Sequence, residues 1–420
     1  MSINNLGSYA GSRGAGRLFS GVAVWVVLGT VFAQYTAIVS DPWDTVFIVL
    51  VYGLLSLAYW SRYGFDISIP QSVGIAFGGI VVLFLLQVAL GKYARPSLAL
   101  FPIYTTGVAF VNLFLVPRLV DRRTVFQQIA LFGAVLGVLF LGAVITGYDT
   151  TIPLLADDGF GVIDRFVSNV VGIVAVVGAI SSLDEVVTRR SFSWILPLIG
   201  NLIFAVIITS PGVVLILAVG TVVYVLDLVM DRRFVSGIVG CGFVFSILLV
   251  SIALALPLSL IREIPTAVET VPGLTAHMRY IAWRGAFGAI RDSHLLWGAG
   301  FQTAEFFSQY TLDGRAVGAH NSFLLVFSRA GIAAFALYLV LIGGPIARAL
   351  REHTVDRLLL ALIVALGVNI FFESYSFWST GIHGVLLGVV FGYLIDDLTE
   401  PDETLAAGTE LTDIETEREV

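Results

Sequence analysis

The sequence has one cysteine and few charged residues. Only 13% of its 420 residues are charged, whereas 57% are hydrophobic. A soluble domain has about a quarter charged residues, so this composition excludes an ordinary soluble domain. The lone Cys241 excludes a disulfide framework and a cysteine metal site. The chain also lacks a phosphate loop ending in Lys, an HExxH pair and a nucleophile elbow, and this excludes the enzyme classes that depend on those motifs.

Long apolar runs fill most of the chain. Blocks such as "GVAVWVVLGTVFAQYTAIV" have the length of a helix that crosses about 30 Å of hydrocarbon, whereas barrel strands would alternate in polarity. The pattern predicts an all-α polytopic membrane protein with about twelve spans, at residues 18–39, 43–60, 71–91, 97–117, 125–147, 161–180, 192–209, 211–230, 234–260, 321–342, 356–373 and 377–396. The connections near 209–212 and 372–377 are so short that a re-entrant hairpin is an alternative there.

The distribution of arginine predicts the orientation. Thirteen arginines lie in alternate connecting segments, whereas the short loops between them hold only Lys92, Arg95 and Arg165. Because basic loops stay on the cytoplasmic side, we expect a plasma-membrane protein with both termini inside. This orientation divides the chain into N-terminal helices in 1–260, a large outer loop at 261–320, C-terminal helices in 321–396 and a cytoplasmic tail at 397–420.

The C-terminal segment is strongly acidic. Residues 396–420 hold ten acids and one arginine, and the rest of the chain has a net charge of +2. Such a composition favours a disordered, solvated tail.

The outer loop contains an amphipathic segment, "HMRYIAWRGAFGAIR". Helical spacing places Tyr280, Trp283, Phe287 and Ile290 on one face, which predicts a helix lying in the membrane interface. Arginines border this face, and contacts with lipid phosphates explain Arg284 and Arg291 adequately. The functional alternative is that arginines hold the phosphate of a membrane-bound substrate.

A specific motif follows in and after this segment. It reads Arg-xxx-Trp, Gly-x-Gly-Phe, His-Asn-xx-Leu and then Gly, at Arg279, Trp283, Gly298, Gly300, Phe301, His320, Asn321, Leu324 and Gly331. In this order, and in its many helices with one large late loop, the chain resembles the O-antigen ligase and O-antigen polymerase superfamily.

The resemblance implies a glycosyltransferase of cell-envelope polysaccharide synthesis. It would move a glycan from an isoprenoid phosphate or pyrophosphate carrier to an acceptor glycan, lipid or protein, without a metal or cofactor and without nucleic acid. His320 would be the base and Arg279 the clamp on the leaving phosphate. The chemistry agrees, since an imidazole can take a hydroxyl proton and a guanidinium stabilises a developing phosphate charge. The expected substrate-binding residues are Asn321, Arg284, Arg329, Arg291, Trp283 and Glu373.

Several of these residues have structural alternatives. His320 could merely form hydrogen bonds in the interface, and His277 and His294 are rival bases in the same loop. Asn321 could act only as a helix N-cap. Arg329, nine residues into an apolar run, needs a partner, and that partner could be a substrate phosphate or Glu373.

The chain departs from the family at one position. The family commonly has Ser-Arg-Gly at the outer end of an earlier helix, where this chain reads Thr209-Ser210-Pro211-Gly212. Proline cannot bind a phosphate, so another arginine has this role or the activity is altered. Two other classes of function therefore stay open, namely a transporter or flippase of lipid-linked sugars and a catalytically inactive membrane scaffold.

Overall fold

The computed structural model describes residues 20–34, 43–93, 96–146, 165–208, 210–255, 276–293, 295–302, 319–352, 355–374 and 376–399. The α-helices in these residues are α1 (Ser20–Ala33), α2 (Trp43–Tyr63), α3 (Gln71–Ala89), α4 (Pro96–Phe110), α5 (Val116–Leu119), α6 (Arg122–Ile145), α7 (Arg165–Val187), α8 (Ile195–Ile207), α9 (Pro211–Val229), α10 (Arg232–Ala255), α11 (Ala276–Asp292), α12 (Ser322–Glu352), α13 (Arg357–Phe372) and α14 (Ile382–Asp397). A π-helical turn at Val111–Leu115 joins α4 to α5.

The predicted all-helical class is confirmed for the described residues, in which no β-strand forms. A helix lies in each of the twelve predicted segments. Within the described part of the chain, six helical stretches are both long and apolar enough to cross a membrane, at Thr45–Tyr63, Gln71–Ala89, Leu98–Leu119, Arg122–Ile145, Gly212–Val229 and Ser322–Arg351. The chain is therefore a helical protein with the composition and helix lengths of a multi-pass membrane protein.

The helices form a bundle with two chemically different ends. One end, here called the arginine end, holds ion pairs between Arg118 and Asp396, Arg122 and Asp397, Arg123 and Glu185, and Arg232 and Asp227. The other end, here called the loop end, holds residues 91–93, 295–301 and 331, which contact one another. Helix α3 runs from the first end to the second.

The segment predicted as one span at 321–342 is a helical hairpin. Gly331 interrupts α12 with φ 78° and ψ −171°, which separates a short arm at 322–330 from a long arm at 332–352. The rings of Phe323 and Tyr338 lie 5.4 Å apart. A straight helix would separate these two residues by about 22 Å along its axis. The two arms therefore fold back on each other, with the hairpin tip at Gly331 and at the loop end.

The hairpin changes the expected position of His320. The sequence predicts His320 at the outer mouth of a helix, but the short arm runs from His320 towards the tip. Nine residues of helix measure about 13 Å, so His320 lies about that far inside the bundle from the loop end. The reason is that an apolar run is equally compatible with one crossing helix and with two shorter arms packed together.

The predicted tail begins later than expected. Asp396 and Asp397 belong to the last turn of α14 and pair with Arg118 and Arg122. The rest of the predicted tail, from residue 400, lies outside the described residues.

Candidate functional site at the re-entrant hairpin

The loop at 295–301, here called the clasp, binds the backbone of the hairpin tip. The N–H groups of Ala299 and Gly300 donate to the carbonyls of Ser328 and Arg329, at 2.6 and 3.0 Å. The N–H of Ile332 donates to the carbonyl of Leu295 at 3.0 Å. These bonds satisfy carbonyls at the end of the short arm and an N–H at the start of the long arm, which would otherwise lack partners.

The glycines of the motif permit this close approach. Gly298, Gly300 and Gly331 all have positive φ angles, of 66°, 81° and 78°. A Cβ atom at Gly331 would collide with the Leu296 carbonyl, and one at Gly298 would lie 2.6 Å from the Ser328 carbonyl oxygen. Glycine alone accepts both the conformation and the contact without strain.

His320 lies at the start of the short arm in a strained backbone conformation. Its φ of 42° falls in the left-handed region, which costs a non-glycine residue about 1–2 kcal/mol. Its side chain is 24% exposed, and Nδ1 lies 3.5 Å from Oε2 of Glu373. Strain of this kind persists where the surrounding contacts impose it, and such positions concentrate at functional sites.

Glu373 reaches His320 because α13 ends inside the bundle. Its side chain is only 5% exposed, and it follows Phe372, the last residue of α13. The hydroxyl of Ser322 donates to the Glu373 backbone carbonyl at 2.9 Å, which connects the hairpin to the α13 terminus. A buried carboxylate beside a partly exposed imidazole is an arrangement that orients a general base.

Asn321 has the structural role that the sequence left open. Its side-chain oxygen accepts from the Leu324 N–H at 3.0 Å, as expected of an N-cap, and its amide donates to the Phe371 carbonyl at 3.0 Å. Asn321 is almost completely buried. Its side chain therefore holds the short arm against α13.

Helix α11 packs along the short arm. Trp283 is buried with Ala286 against Leu324 and Leu325, and its indole N–H donates to the His320 carbonyl at 3.1 Å. Trp283 thus fixes the backbone that carries the imidazole.

The face of α11 that packs inside the protein is rich in alanine. Ala282, Ala286 and Ala289 are buried beside Trp283 and Ile290, whereas Phe287 is 38% exposed. The small alanines allow close contact between helices, and this contact determines which face is buried. Phe287 is thus left at the protein surface, and its predicted contact with the membrane interface stays a prediction.

The arginines of α11 divide between its two faces. Position 279 precedes Trp283 by one turn and shares its face, at the His320 end of the helix. Position 284 lies on the opposite face, as does Arg291, which is 82% exposed and pairs with the neighbouring Asp292 at 3.1 Å. The side chains of Arg279, Arg284 and His277 are outside the described part of the structure, and His294 is outside it entirely.

Arg329 lies near the hairpin tip and apart from Glu373. Its guanidinium carbon stands 5.4 Å from the Phe101 ring centre and 5.5 Å from that of Phe301. No carboxylate of a described residue lies within 4 Å of it, so the structure does not form the ion pair with Glu373 that was one alternative. Arg329 follows Ser322 by two helical turns, or about 10 Å along the arm.

Pro211 begins α9 without a ligand-binding side chain. Ser210 caps this helix, accepting from the Val213 N–H at 3.4 Å, and proline occupies the first helical position, where its missing N–H has no cost. Residues 210 and 211 therefore form a regular helix start.

Two residues of this region were not predicted from the sequence. Lys92 donates from its ammonium group to the Gly298 carbonyl at 3.3 Å, and its own carbonyl accepts from the Phe301 N–H at 2.9 Å. Ser322 links the hairpin to Glu373. Both contacts join segments far apart in the chain, and the only sequence signal was the position of Lys92 at the end of an apolar run.

The arginine end has the bonding of a structural network. Glu185 accepts from Arg123 at 2.9 and 3.0 Å and from Gln127 at 2.9 Å, while Asp227 pairs with Arg232 at 2.9 Å and Arg357 at 3.5 Å. These pairs join five helices, α6, α7, α9, α10 and α13. The buried carboxylates are thus neutralised within the protein.

Comparisons of this chain with protein-family models and with curated sequences found no match.

Proposed function

We propose that the protein is a membrane glycosyltransferase that moves a glycan from an isoprenoid phosphate or pyrophosphate carrier to an acceptor hydroxyl. The observation that carries the proposal is the pairing of His320 with Glu373 inside a helical bundle, at 3.5 Å between Nδ1 and Oε2. The likeness of the motif to O-antigen ligases and polymerases supports the same activity.

The pair suits base catalysis by His320. With Nδ1 facing Glu373, the other ring nitrogen is free in this arrangement to take the proton of the acceptor hydroxyl. The acceptor oxygen then forms a bond to the anomeric carbon while the bond from that carbon to the carrier phosphate breaks. The phosphate leaves with the electron pair, and an arginine stabilises its charge.

Arg279 is our assignment for that arginine. Its backbone position lies one turn from Trp283, which is bonded to the His320 carbonyl. Arg329 is about two turns further along the short arm from Ser322, so we place it outside the reacting centre. Arg284 and Arg291 fit lipid phosphates better, because their positions lie on the far face of α11 from the hairpin.

An apolar cavity supports a lipid-linked donor. It has a volume of about 390 Å³ between α9, α10, α13 and the long arm of α12. Its lining includes Phe371, whose carbonyl bonds Asn321 and which precedes Glu373 by two residues. Gly367 is buried, and a Cβ atom there would meet nothing within 4 Å, so this glycine borders empty space. A hydrocarbon chain is the occupant that such a lining favours.

The test is transfer of a labelled glycan from an isoprenoid-linked donor by purified variants. His320→Ala and Arg279→Ala should lower the rate at least 100-fold, the lower range for losing a catalytic base or an oxyanion donor. Arg233→Ala, at an exposed residue of the arginine end, is the matched control and should retain the rate. Full activity of His320→Ala in correctly folded protein would exclude the assignment.

We also propose that the loop end faces outward in the plasma membrane and the arginine end inward, because basic residues stay on the cytoplasmic side. Lys92 is the single lysine of the chain. An impermeant amine-reactive reagent should therefore modify Lys92 in intact cells, and Lys92→Arg should abolish this label. Modification only after permeabilisation would show the reverse orientation.

A transporter of lipid-linked sugars is the second candidate. The interrupted helix at Gly331 favours it, since broken helices are common at transporter binding sites. Accumulation of the carrier on the inner leaflet of a deletion strain would support transport, whereas accumulation of unused donor on the outer leaflet would support transfer.

A further inference from the structure

We propose that Lys92 and Arg329 form a binding site for a lipid phosphate at the loop end, separate from the His320–Glu373 pair. The inference goes beyond the glycosyl transfer and does not depend on it. It starts from a partly buried guanidinium that has no acceptor in the described protein.

Arg329 is held in place by rings and backbone and not by an anion. Its guanidinium lies against both Phe101 and Phe301, whose ring centres are 6.2 Å apart, and its carbonyl accepts from Gly300. None of its five N–H donors has a hydrogen-bond acceptor among the described residues, and no described carboxylate neutralises it. Aromatic faces attract the cation but leave the planar edge of donors available.

The clasp joins the backbone at Lys92 to the backbone at Arg329. Two consecutive N–H groups, of Gly300 and Phe301, bond the carbonyls of Arg329 and Lys92. The Lys92 ammonium donates to Gly298 and has no carboxylate partner among the residues that the structure describes. Two uncompensated cations on segments that the clasp joins attract an anion, and a guanidinium fork with an ammonium suits phosphate.

The surroundings favour a phosphate that carries a lipid chain. Leu295, Leu296 and Trp297 in the clasp are 54, 61 and 41% exposed, and they directly precede Gly298, whose carbonyl accepts from the Lys92 ammonium. Exposed leucines and a tryptophan beside cations are typical of a surface that meets the boundary between head groups and hydrocarbon. A free phosphate would gain nothing from these side chains.

Two lipids share this chemistry, a membrane phospholipid and an isoprenoid phosphate. Native mass spectrometry of the delipidated full-length protein should therefore compare phosphatidylglycerol, farnesyl phosphate, diacylglycerol and inorganic phosphate. We expect phosphatidylglycerol or farnesyl phosphate to bind at least tenfold more tightly than diacylglycerol, and whichever binds more tightly identifies the source of the phosphate. Equally tight binding of inorganic phosphate would overturn the lipid assignment.

The variants test the site itself. Arg329→Gln and Lys92→Gln should each weaken binding about tenfold, and Arg329→Lys should weaken it less. Arg291→Gln removes the same charge from an exposed residue at the same end and should have no effect. If Arg291→Gln weakened lipid binding as much as Arg329→Gln, the binding would reflect only general attraction between positive charges and the phosphate. That result would overturn the proposal.

A measurement on the unaltered protein avoids any folding defect in the variants. Because Lys92 is the only lysine, its rate of acetylation reports on this site alone. Phosphatidylglycerol should slow acetylation of Lys92 several-fold relative to diacylglycerol, while the N-terminal amine serves as the internal control. If phosphatidylglycerol slowed the acetylation of both amines equally, or of neither amine, the result would contradict the site.

Discussion

Trp283 holds the backbone of His320 and does not bind the imidazole ring. The indole N–H lies 3.1 Å from the His320 carbonyl oxygen, and the imidazole is left to face Glu373. This bond and the packing of Trp283 against the short arm help to hold His320 at a φ of 42°. The motif Arg-xxx-Trp is therefore joined physically to the motif His-Asn.

Replacing Trp283 with phenylalanine should uncouple the two motifs. The ring preserves most of the packing, but the lost hydrogen bond costs about 1 kcal/mol and frees the His320 backbone. A displaced base lowers the rate of transfer, and we expect a loss of about tenfold with little change in the melting temperature. Trp43→Phe, at an exposed tryptophan, should retain both values. An unchanged rate in Trp283→Phe would show that the bond does not position the base.

Glu373→Gln should show whether Glu373 orients His320 or binds the substrate. Glutamine keeps the size of the side chain but removes the charge that faces Nδ1. We expect kcat to fall about 100-fold while KM changes little, because the carboxylate acts through the histidine. Glu373→Asp should restore part of kcat. A rise in KM with kcat unchanged would instead place Glu373 in contact with substrate.

The positions of the helices could be predicted from the sequence because length and apolar content have a direct physical meaning in a bilayer. A run of about twenty apolar residues must form a helix wherever lipid surrounds it. Helix α3, predicted at 71–91, is found at Gln71–Ala89 for this reason. The arginines assigned to one side, such as Arg118 and Arg232, also lie at one end of the bundle.

The hairpin could not be predicted because its signal is a contact between residues distant along the chain. The run at 321–342 is apolar whether it crosses once or folds back, and only Gly331 gave a local hint. The contact between the rings of Phe323 and Tyr338 distinguishes a hairpin from a single crossing helix. The periodicity of the sequence contains no information about this contact. In the hairpin, Glu373 lies beside His320, whereas Arg329 lies near the tip. The pair between Arg329 and Glu373 that the sequence allowed is therefore replaced by a pair between His320 and Glu373.

The arginine end offers a test of buried against exposed ion pairs. The Asp227 side chain is 4% exposed and faces both Arg232 and Arg357. Asp227→Asn should lower the free energy of unfolding by about 3 kcal/mol, since two partly buried guanidinium groups lose their anion. Asp292→Asn removes the carboxylate of a pair in which the arginine is 82% exposed, and it should cost at most about 0.5 kcal/mol. Unfolding in a mixed-detergent titration measures both, and equal effects would show that burial does not govern this network.

Gly331→Ala tests whether the hairpin tip requires glycine. Its φ of 78° is unfavourable for alanine, and the added Cβ would collide with the Leu296 carbonyl of the clasp. Strain and displacement of the clasp together should lower the free energy of unfolding by about 2–3 kcal/mol. Gly343→Ala lies within the long arm, where a Cβ meets nothing within 4 Å, and alanine should be neutral or stabilise that helix by about 0.5–1 kcal/mol. If both variants melt at the temperature of the unaltered protein, the tip does not depend on a left-handed residue, and the close packing of clasp against hairpin would be wrong.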